Sequence, residues 1–147
     1  MKSTMEHSLH YNLLAAHTLF QKRFLARLRQ EYPALLPGQP KVIDYLMSHP
    51  DSFQREIADG CLIDPATLSP ILGKMEDSGL IRRDKTDDNR KNSIVSLTAA
   101  GKEVGRRLRE LFQETERISC DGVSGQQVEL LLQCLEQIRK NCGNTMQ

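Results

Sequence analysis

Apolar positions recur every three or four residues at both ends of the chain, and between those ends two short apolar runs flank a tract dense in charge. Leu9, Leu13, Ala16, Phe20, Phe24 and Leu28 keep the helical step, which predicts one helix face from Leu9 to Leu28. The segment "EYPALLPGQP" then breaks it, because Pro33, Pro37, Pro40 and Gly38 suit turns better than helix interiors. Towards the C-terminus Val104, Leu108, Leu111, Thr115 and Ile118 form one stripe, and Val128, Leu131, Leu135, Ile138 and Cys142 form another. Such stripes either pack on the body of their own chain or, coming from opposite ends, intertwine with a second copy.

The middle of the chain has punctuation of a different kind. In "DSFQREIADGCLIDPATLSPILGKMEDSGL" a helix is expected to start at Asp51 or Ser52, with Gln54 placed three after Asp51 as in a capping box, and to end at Gly60. After a short turn Asp64 and Pro65 supply the next N-cap and first helical position, which is helix-turn-helix spacing. In the second helix Leu68, Ile71, Leu72 and Met75 share an apolar face, while Ala66, Thr67, Ser69, Pro70, Gly73 and Lys74 lie mainly elsewhere. A face of small side chains lets a helix backbone sink into a groove about 12 Å wide, where Thr67 and Ser69 can hydrogen-bond bases or phosphates and Lys74 adds a cation. An ordinary surface helix carries longer Lys and Glu side chains. Pro70 costs a helix interior about 3 kcal/mol, so either the helix kinks there or its regular part begins with Ser69 as cap.

Leu80–Arg83 and Ser93–Leu97 read as two short strands with Ile81, Ile94 and Leu97 available to the core, joined by a polar hairpin tip. The tract from Arg82 to Lys91 holds the cations Arg82, Arg83, Lys85, Arg90 and Lys91 against the anions Asp84, Asp87 and Asp88. Directly after a helix-turn-helix such a tip is a wing, able to reach a neighbouring minor groove with Arg90 as its probe and Asp88 fixing the turn.

Composition narrows the function classes. A chain of 147 residues with 39% hydrophobic content predicts one domain, and a formal net charge of only +1 requires any nucleic-acid site to come from local clustering. The start "MKSTMEHSLH" has no apolar leader region and no stretch reaches 18 apolar residues, so a cytoplasmic protein without membrane contact is expected. Cys61, Cys120, Cys134 and Cys142 form no C-x-x-C pair, which predicts reduced thiols. No metal or other cofactor is expected, since neither His-x-x-x-His nor an acidic cluster is present. Without a glycine-rich phosphate loop, a nucleophile elbow or paired catalytic residues, an enzyme is not expected either.

The stretches "FQREIADGCLIDPATLSPILGKMEDSGLIRR", "DDNRK" and "VSLTAAG" resemble the multiple antibiotic resistance regulator (MarR) family of winged-helix transcription factors. That resemblance implies a mainly α fold: a winged helix-turn-helix over residues 38–103 with a small β wing, and dimerisation helices over 1–37 and 104–147. It further implies a homodimer on double-stranded DNA, recognition helices in major grooves, wings in minor grooves, and a small-molecule or oxidant signal, most often acting on a repressor. The DNA-contacting residues are then Gln54, Ala66, Thr67, Ser69, Pro70, Lys74, Arg83, Lys85, Arg90 and Lys91, with Asp88 structuring the wing. Asn89 stands where the family's Asp-Arg-Arg wing motif has its middle arginine. "ATLSPILGKME", the Asp-x-Arg wing and "LHYNLLAA" are most similar to the organic-peroxide-sensing branch, whose reactive cysteine is replaced here by His10. His10, Tyr11, Leu14 and His17 are the candidate ligand-binding residues at a dimer junction. The rival from another class is a winged-helix protein-interaction module without DNA binding, which the near-neutral charge and Asn89 favour.

Overall fold

The structure, a computed structural model, describes residues 5–85 and 93–143. Six helices and a small sheet follow one another: α1 (Leu9–Glu31), α2 (Gln39–Ser48), β1 (Ser52–Phe53), α3 (Gln54–Cys61), α4 (Pro65–Asp77), β2 (Ile81–Lys85), β3 (Ser93–Leu97), α5 (Ala99–Ser119) and α6 (Gly125–Gly143). The three strands are antiparallel in the order β1-β3-β2. The expected winged helix-turn-helix, mainly helical with a small β wing, is the fold observed.

Two elements differ from expectation. The chain after the proline-rich break forms α2, which starts at left-handed Gly38, carries Pro40 near its N-terminus, and buries Val42, Ile43 and Leu46. Ser52 and Phe53 are not helical but pair with Val95 and Ile94 of β3. Neither side-chain oxygen expected to cap the helix does so. The Asp51 carboxylate accepts the Ser96 hydroxyl at 2.6 Å, and the Ser52 hydroxyl donates to the His49 carbonyl at 2.6 Å. The first helix of the motif begins instead at Gln54, and the Glu56 carboxylate accepts the exposed Phe53 N–H at 2.7 Å.

That helix also ends later than Gly60. Leu62 takes the left-handed conformation (φ 55°, ψ 41°) while 90% exposed, a strain on the order of 1 kcal/mol for a residue with a Cβ. Gly60 has a packing role: a Cβ there would stand 2.1 Å from the Tyr45 ring. In the wing, strand parity lets Ile81, Val95 and Leu97 face the core, while Ile94, one residue out of step with Val95, is only half-buried.

One core joins every element except β1 and α6. It runs from Phe24 and Leu28 of α1 through Ile43, Ile57, Leu68, Leu72 and Met75 to Val95, Leu108 and Leu111. Where α5 starts, the Thr98 hydroxyl accepts the Gly101 N–H at 3.1 Å and donates to the Gly79 carbonyl at 2.6 Å. A Cβ on Gly101 would lie 2.1 Å from the Leu80 carbonyl oxygen, so only glycine admits this approach of helix to wing. The Phe112 ring packs on Phe20 and Phe24 at centroid distances of 5.1 and 5.6 Å, fastening α5 to α1.

The terminal stripes divide. Leu108, Leu111 and Thr115 of α5 are buried within the chain, as are Phe24 and Leu28, whereas Leu9, Leu13 and Ala16 are exposed and α6 buries no residue. Leu130, Leu131 and Leu132 are 60%, 54% and 60% exposed, far more than a helix packed on its own body would show.

Arg107 grips Glu31 with two hydrogen bonds of 2.7 Å, and this bonding holds the Glu31 carboxyl below the usual carboxylate range. A depressed folded-state pKa stabilises the fold above the unfolded-state pKa and ceases to do so as pH falls through the folded-state value. Glu31→Gln is therefore expected to lower Tm at pH 7, and the gap from wild type should close as the pH is brought below the glutamate range. A gap that persists unchanged down to pH 2.5 in thermal scans would exclude the pair as its source.

Candidate nucleic-acid interface

Helix α4 starts as its sequence dictates. Asp64 is the N-cap, its carboxylate accepts the Thr67 N–H at 3.3 Å, and Pro65 takes the first helical position. Leu68, Leu72 and Met75 are wholly buried, which fixes the rotation of the helix about its axis. The opposite side is open: Ala66, Thr67, Ser69, Pro70 and Lys74 are all exposed. The helix runs continuously from Pro65 to Asp77 through Pro70, so Ser69 is interior and not a cap. Pro70 has no N–H for the Ala66 carbonyl, and since both residues are exposed water can take its place.

The exposed side has the profile a major groove accepts. Ala66, Pro70 and Gly73 add little beyond the backbone, and Ser69 and Lys74 contribute one hydroxyl and one cation. Thr67 stands at the edge of this surface, because together with Ile71 it also lines a cleft beside the helix. Gln54 sits half-buried at the first position of α3.

The wing cations separate. Arg83 lies on the inner side of β2, opposite Val95, and its Nε donates to the Glu76 carboxylate of α4 at 3.1 Å. Arg82 lies on the other side, exposed and paired with Asp84 at 3.4 Å. The Lys85 side chain, and Asp88, Arg90 and Lys91 entirely, lie outside the described residues. Sequence reasoning did not single out Glu76, although its place one turn beyond Gly73 on α4 put it on the wing side of the helix.

Beside this surface a cleft of ≈ 860 Å³ opens between α1, α2 and α5. Its walls are largely apolar, with Phe24, Leu28, Tyr32, Ile71 and Phe112 prominent, and Arg29, Lys41 and Arg109 are its cations. Arg109 is occupied by Asp44 at 2.8 Å. His10, Tyr11, Leu14 and His17 do not line this cleft. All four are exposed on the first half of α1, ahead of Gln21, the earliest residue on the cleft wall.

The thiols differ by environment. Burial pushes the Cys61 thiol up to about 11, and its Sγ–H donates to the Lys41 carbonyl at 3.5 Å, which makes it an unreactive core group. Cys120 is half-buried at the end of α5, while Cys134 and Cys142 are exposed on α6. Among the described residues no three His, Cys, Asp or Glu side chains group as metal ligands. No helix there is long and apolar enough to cross a membrane.

Comparison with known proteins places this geometry among similar ones. The family model described as MarR family matches residues 37–93. The transcriptional regulator HosA of Escherichia coli O111:H- is 27% identical over 120 residues, covering 82% of this chain and 88% of that protein. The transcriptional repressor CouR, solved on a 23-mer DNA duplex, superposes with a TM-score of 0.81 at 24% identity, covering 95% of this chain and 97% of that one. An organohalide-sensing transcriptional regulator, solved with 2,4-dichlorophenol bound, superposes with a TM-score of 0.79 at 18% identity, covering 95% of this chain and 82% of that one.

Ser69 is exposed and supports no core contact, so Ser69→Glu is expected to leave the circular dichroism and Tm of the protein unchanged. A carboxylate placed there meets phosphate repulsion on any duplex that α4 enters, and affinity for a bound DNA should fall at least about tenfold, a cost of roughly 1.4 kcal/mol. Unchanged affinity by fluorescence anisotropy would refute the assigned face.

Proposed function

We propose that this chain is a MarR-family winged-helix DNA-binding transcriptional regulator that works as a cytoplasmic homodimeric repressor, released from DNA by a small amphipathic molecule. The observation that carries this reading is the exposed small face of α4, held at one rotation by the burial of Leu68, Leu72 and Met75. In this reading α4 enters the major groove with Ala66, Thr67, Ser69, Pro70 and Lys74. Gln54 and Arg83 support it from the flanks. Lys85, Arg90 and Lys91 supply cations to the adjacent minor groove, on a wing whose turn Asp88 fixes.

Residues 38–103 form the DNA-binding region in this reading, and residues 1–37 and 104–147 join two copies. Support for a dimer comes from the apolar surface at both ends of the chain, Leu9, Leu13 and Leu14 on α1 and Leu131 on α6, all exposed in one protomer. Leu135 and Ile138, half-buried, continue the α6 stripe. A stable interface buries about 1,600 Å² in total, an area that two long helices from each copy can supply. The first half of α1 and all of α6 carry that interface, since the middle of α5 is committed to its own core.

The cleft is the receiver of the signal. It borders α4 directly, its walls are apolar, and its cations suit an anionic or phenolic group. The likeness to the peroxide-sensing branch is confined to α4, the wing and the start of α1. With His10 in place of the reactive thiol and Cys61 inert, a bound ligand fits better than an oxidant.

The decisive experiment is binding of the purified protein to DNA upstream of its own gene across a series of salt concentrations. Affinity should fall with a log-log slope of about 0.9 per phosphate neutralised, and small phenols and aromatic acids should release the complex. A flat salt response, or no binding at low salt, would favour the protein-interaction module instead.

The two stripes give a second test. Leu131→Asp with Leu135→Asp is expected to yield a monomer in sedimentation that keeps its helical circular dichroism, because neither residue is buried in its own chain. Leu111→Asp, in contrast, places a carboxylate at a site 1% exposed and should unfold the protein, at a cost of several kcal/mol. A well-folded wild-type monomer at micromolar concentration would overturn the dimer.

A further inference from the structure

We infer that Arg83 reads a guanine in the major groove and that Glu76 is the residue that positions it, an inference that rests on the DNA-binding function proposed above. The alternation of the strand turns Arg83 inward, in line with Ile81 and across from Val95, so that its side chain crosses to α4 and does not project from the wing. Only 18% of that side chain is exposed, which restricts the rotamers open to it. Glu76 accepts the Nε hydrogen at 3.1 Å, and among the described residues the guanidinium has no other partner. Neither terminal amino group is engaged by a described residue.

Their position is what matters. Nη2 lies 3.7 Å from the point where a Cβ on Gly73 would stand. Gly73 belongs to the side of α4 that turns away from Leu68, Leu72 and Met75, one turn beyond Pro70. With no side chain at 73, the guanidinium rests against the helix at the edge of the surface that enters the groove. Fixing Nε on one edge of a planar fork aims the opposite edge outward, and that edge carries two parallel N–H donors.

Guanine is the only base that offers two neighbouring acceptors, O6 and N7, on its major-groove side. Adenine presents an acceptor beside a donor, and cytosine a donor. A phosphate can also accept two bonds from arginine, but it carries no sequence information. Glu76 is a positioning residue in this scheme: it touches Arg83 and not the DNA.

The test uses the full-length protein and an operator selected from a random duplex pool, in which each guanine is replaced singly by 7-deazaguanine to delete the N7 acceptor alone. At one guanine per half-site the replacement should weaken wild-type binding about tenfold, within the range for a bidentate base contact. Arg83→Ala should erase the sensitivity at that guanine only, and so should Arg83→Lys, which keeps the cation but loses the fork. Glu76→Ala should blunt it, and Glu76→Gln, whose amide oxygen still accepts from Nε, should restore it. In an Arg83→Ala background Glu76→Ala should change nothing further at that position.

Two results would overturn the inference. One is deazaguanine sensitivity that survives in Arg83→Lys at every guanine. The other is an Arg83→Lys protein that folds normally and keeps the wild-type ratio of operator to scrambled-DNA affinity, which would make Arg83 a phosphate contact. A pool from which no duplex is retained overturns the DNA-binding function itself, and this inference with it.

Discussion

The rotation of α4 about its own axis is the constraint on which the interface depends, and three side chains set it. Leu68, Leu72 and Met75 are completely buried. Full burial of side chains of this size is worth about 1.5–3 kcal/mol each, so a turn of 100° about the axis would expose apolar surface that nothing on the polar side can replace. The identity of the outward residues then follows without further design. Ala66, Ser69, Pro70 and Gly73 face outward or flank the outward side because the three core residues cannot. Pro70 is tolerated there for the same reason, since the carbonyl it leaves without an N–H is on the wet side of the helix.

The wing is tied to this helix by polar and backbone contacts as much as by the core. Ser96 donates to Asp51 at 2.6 Å, which fastens β3 to the bend before α3, and Arg83 reaches back to Glu76. Thr98 and Gly101 bring the start of α5 against the carbonyls of Gly79 and Leu80, in the connection between α4 and β2. Charge is deployed by the same geometry. In a chain with a net charge of +1, Arg83 is turned towards α4, where Glu76 pairs with it, and Lys74 stands exposed on the same helix. Local placement decides the field that a phosphate meets, and net charge does not.

Periodicity made α4, the two wing strands, α1 and both C-terminal helices legible, since each carries a stripe or a capping pair within its own sequence. Asp64 with Pro65 was sufficient for the start of α4. What could not be read depended on partners far along the chain. Asp51 and Ser52 have the side chains of an N-cap, but Ser96, 45 residues away, takes one of them and the His49 carbonyl the other, so that Ser52 and Phe53 become a strand. Gly60 reads as a helix terminator yet exists to admit the Tyr45 ring, and the left-handed position falls on Leu62, which propensity would never choose. Helix α2 was hidden because prolines at its entrance resemble a loop from the outside. The wall of the cleft was invisible for a related reason: its residues come from α1, α2, α4 and α5, and no spacing along the chain connects them.

Cleft and interface share one rigid element. Ile71 and Thr67 form part of the cleft wall, while Ser69 and Pro70 stand on the surface beside them, all within one and a half turns of α4. A backbone-hydrogen-bonded helix of this length moves as a body, so a displacement of Ile71 carries Ser69 and Pro70 with it. Gly38 marks how little slack exists on the cleft side. It holds a left-handed φ of 85° at the start of α2, and a Cβ there would come within 2.6 Å of the Ile71 Cδ1. On the core side Leu68, Leu72 and Met75 leave no room at all. With both sides packed, α4 has no freedom of its own: a shift of the cleft wall at Ile71 and a shift of the exposed face at Ser69 and Pro70 are one motion of one body.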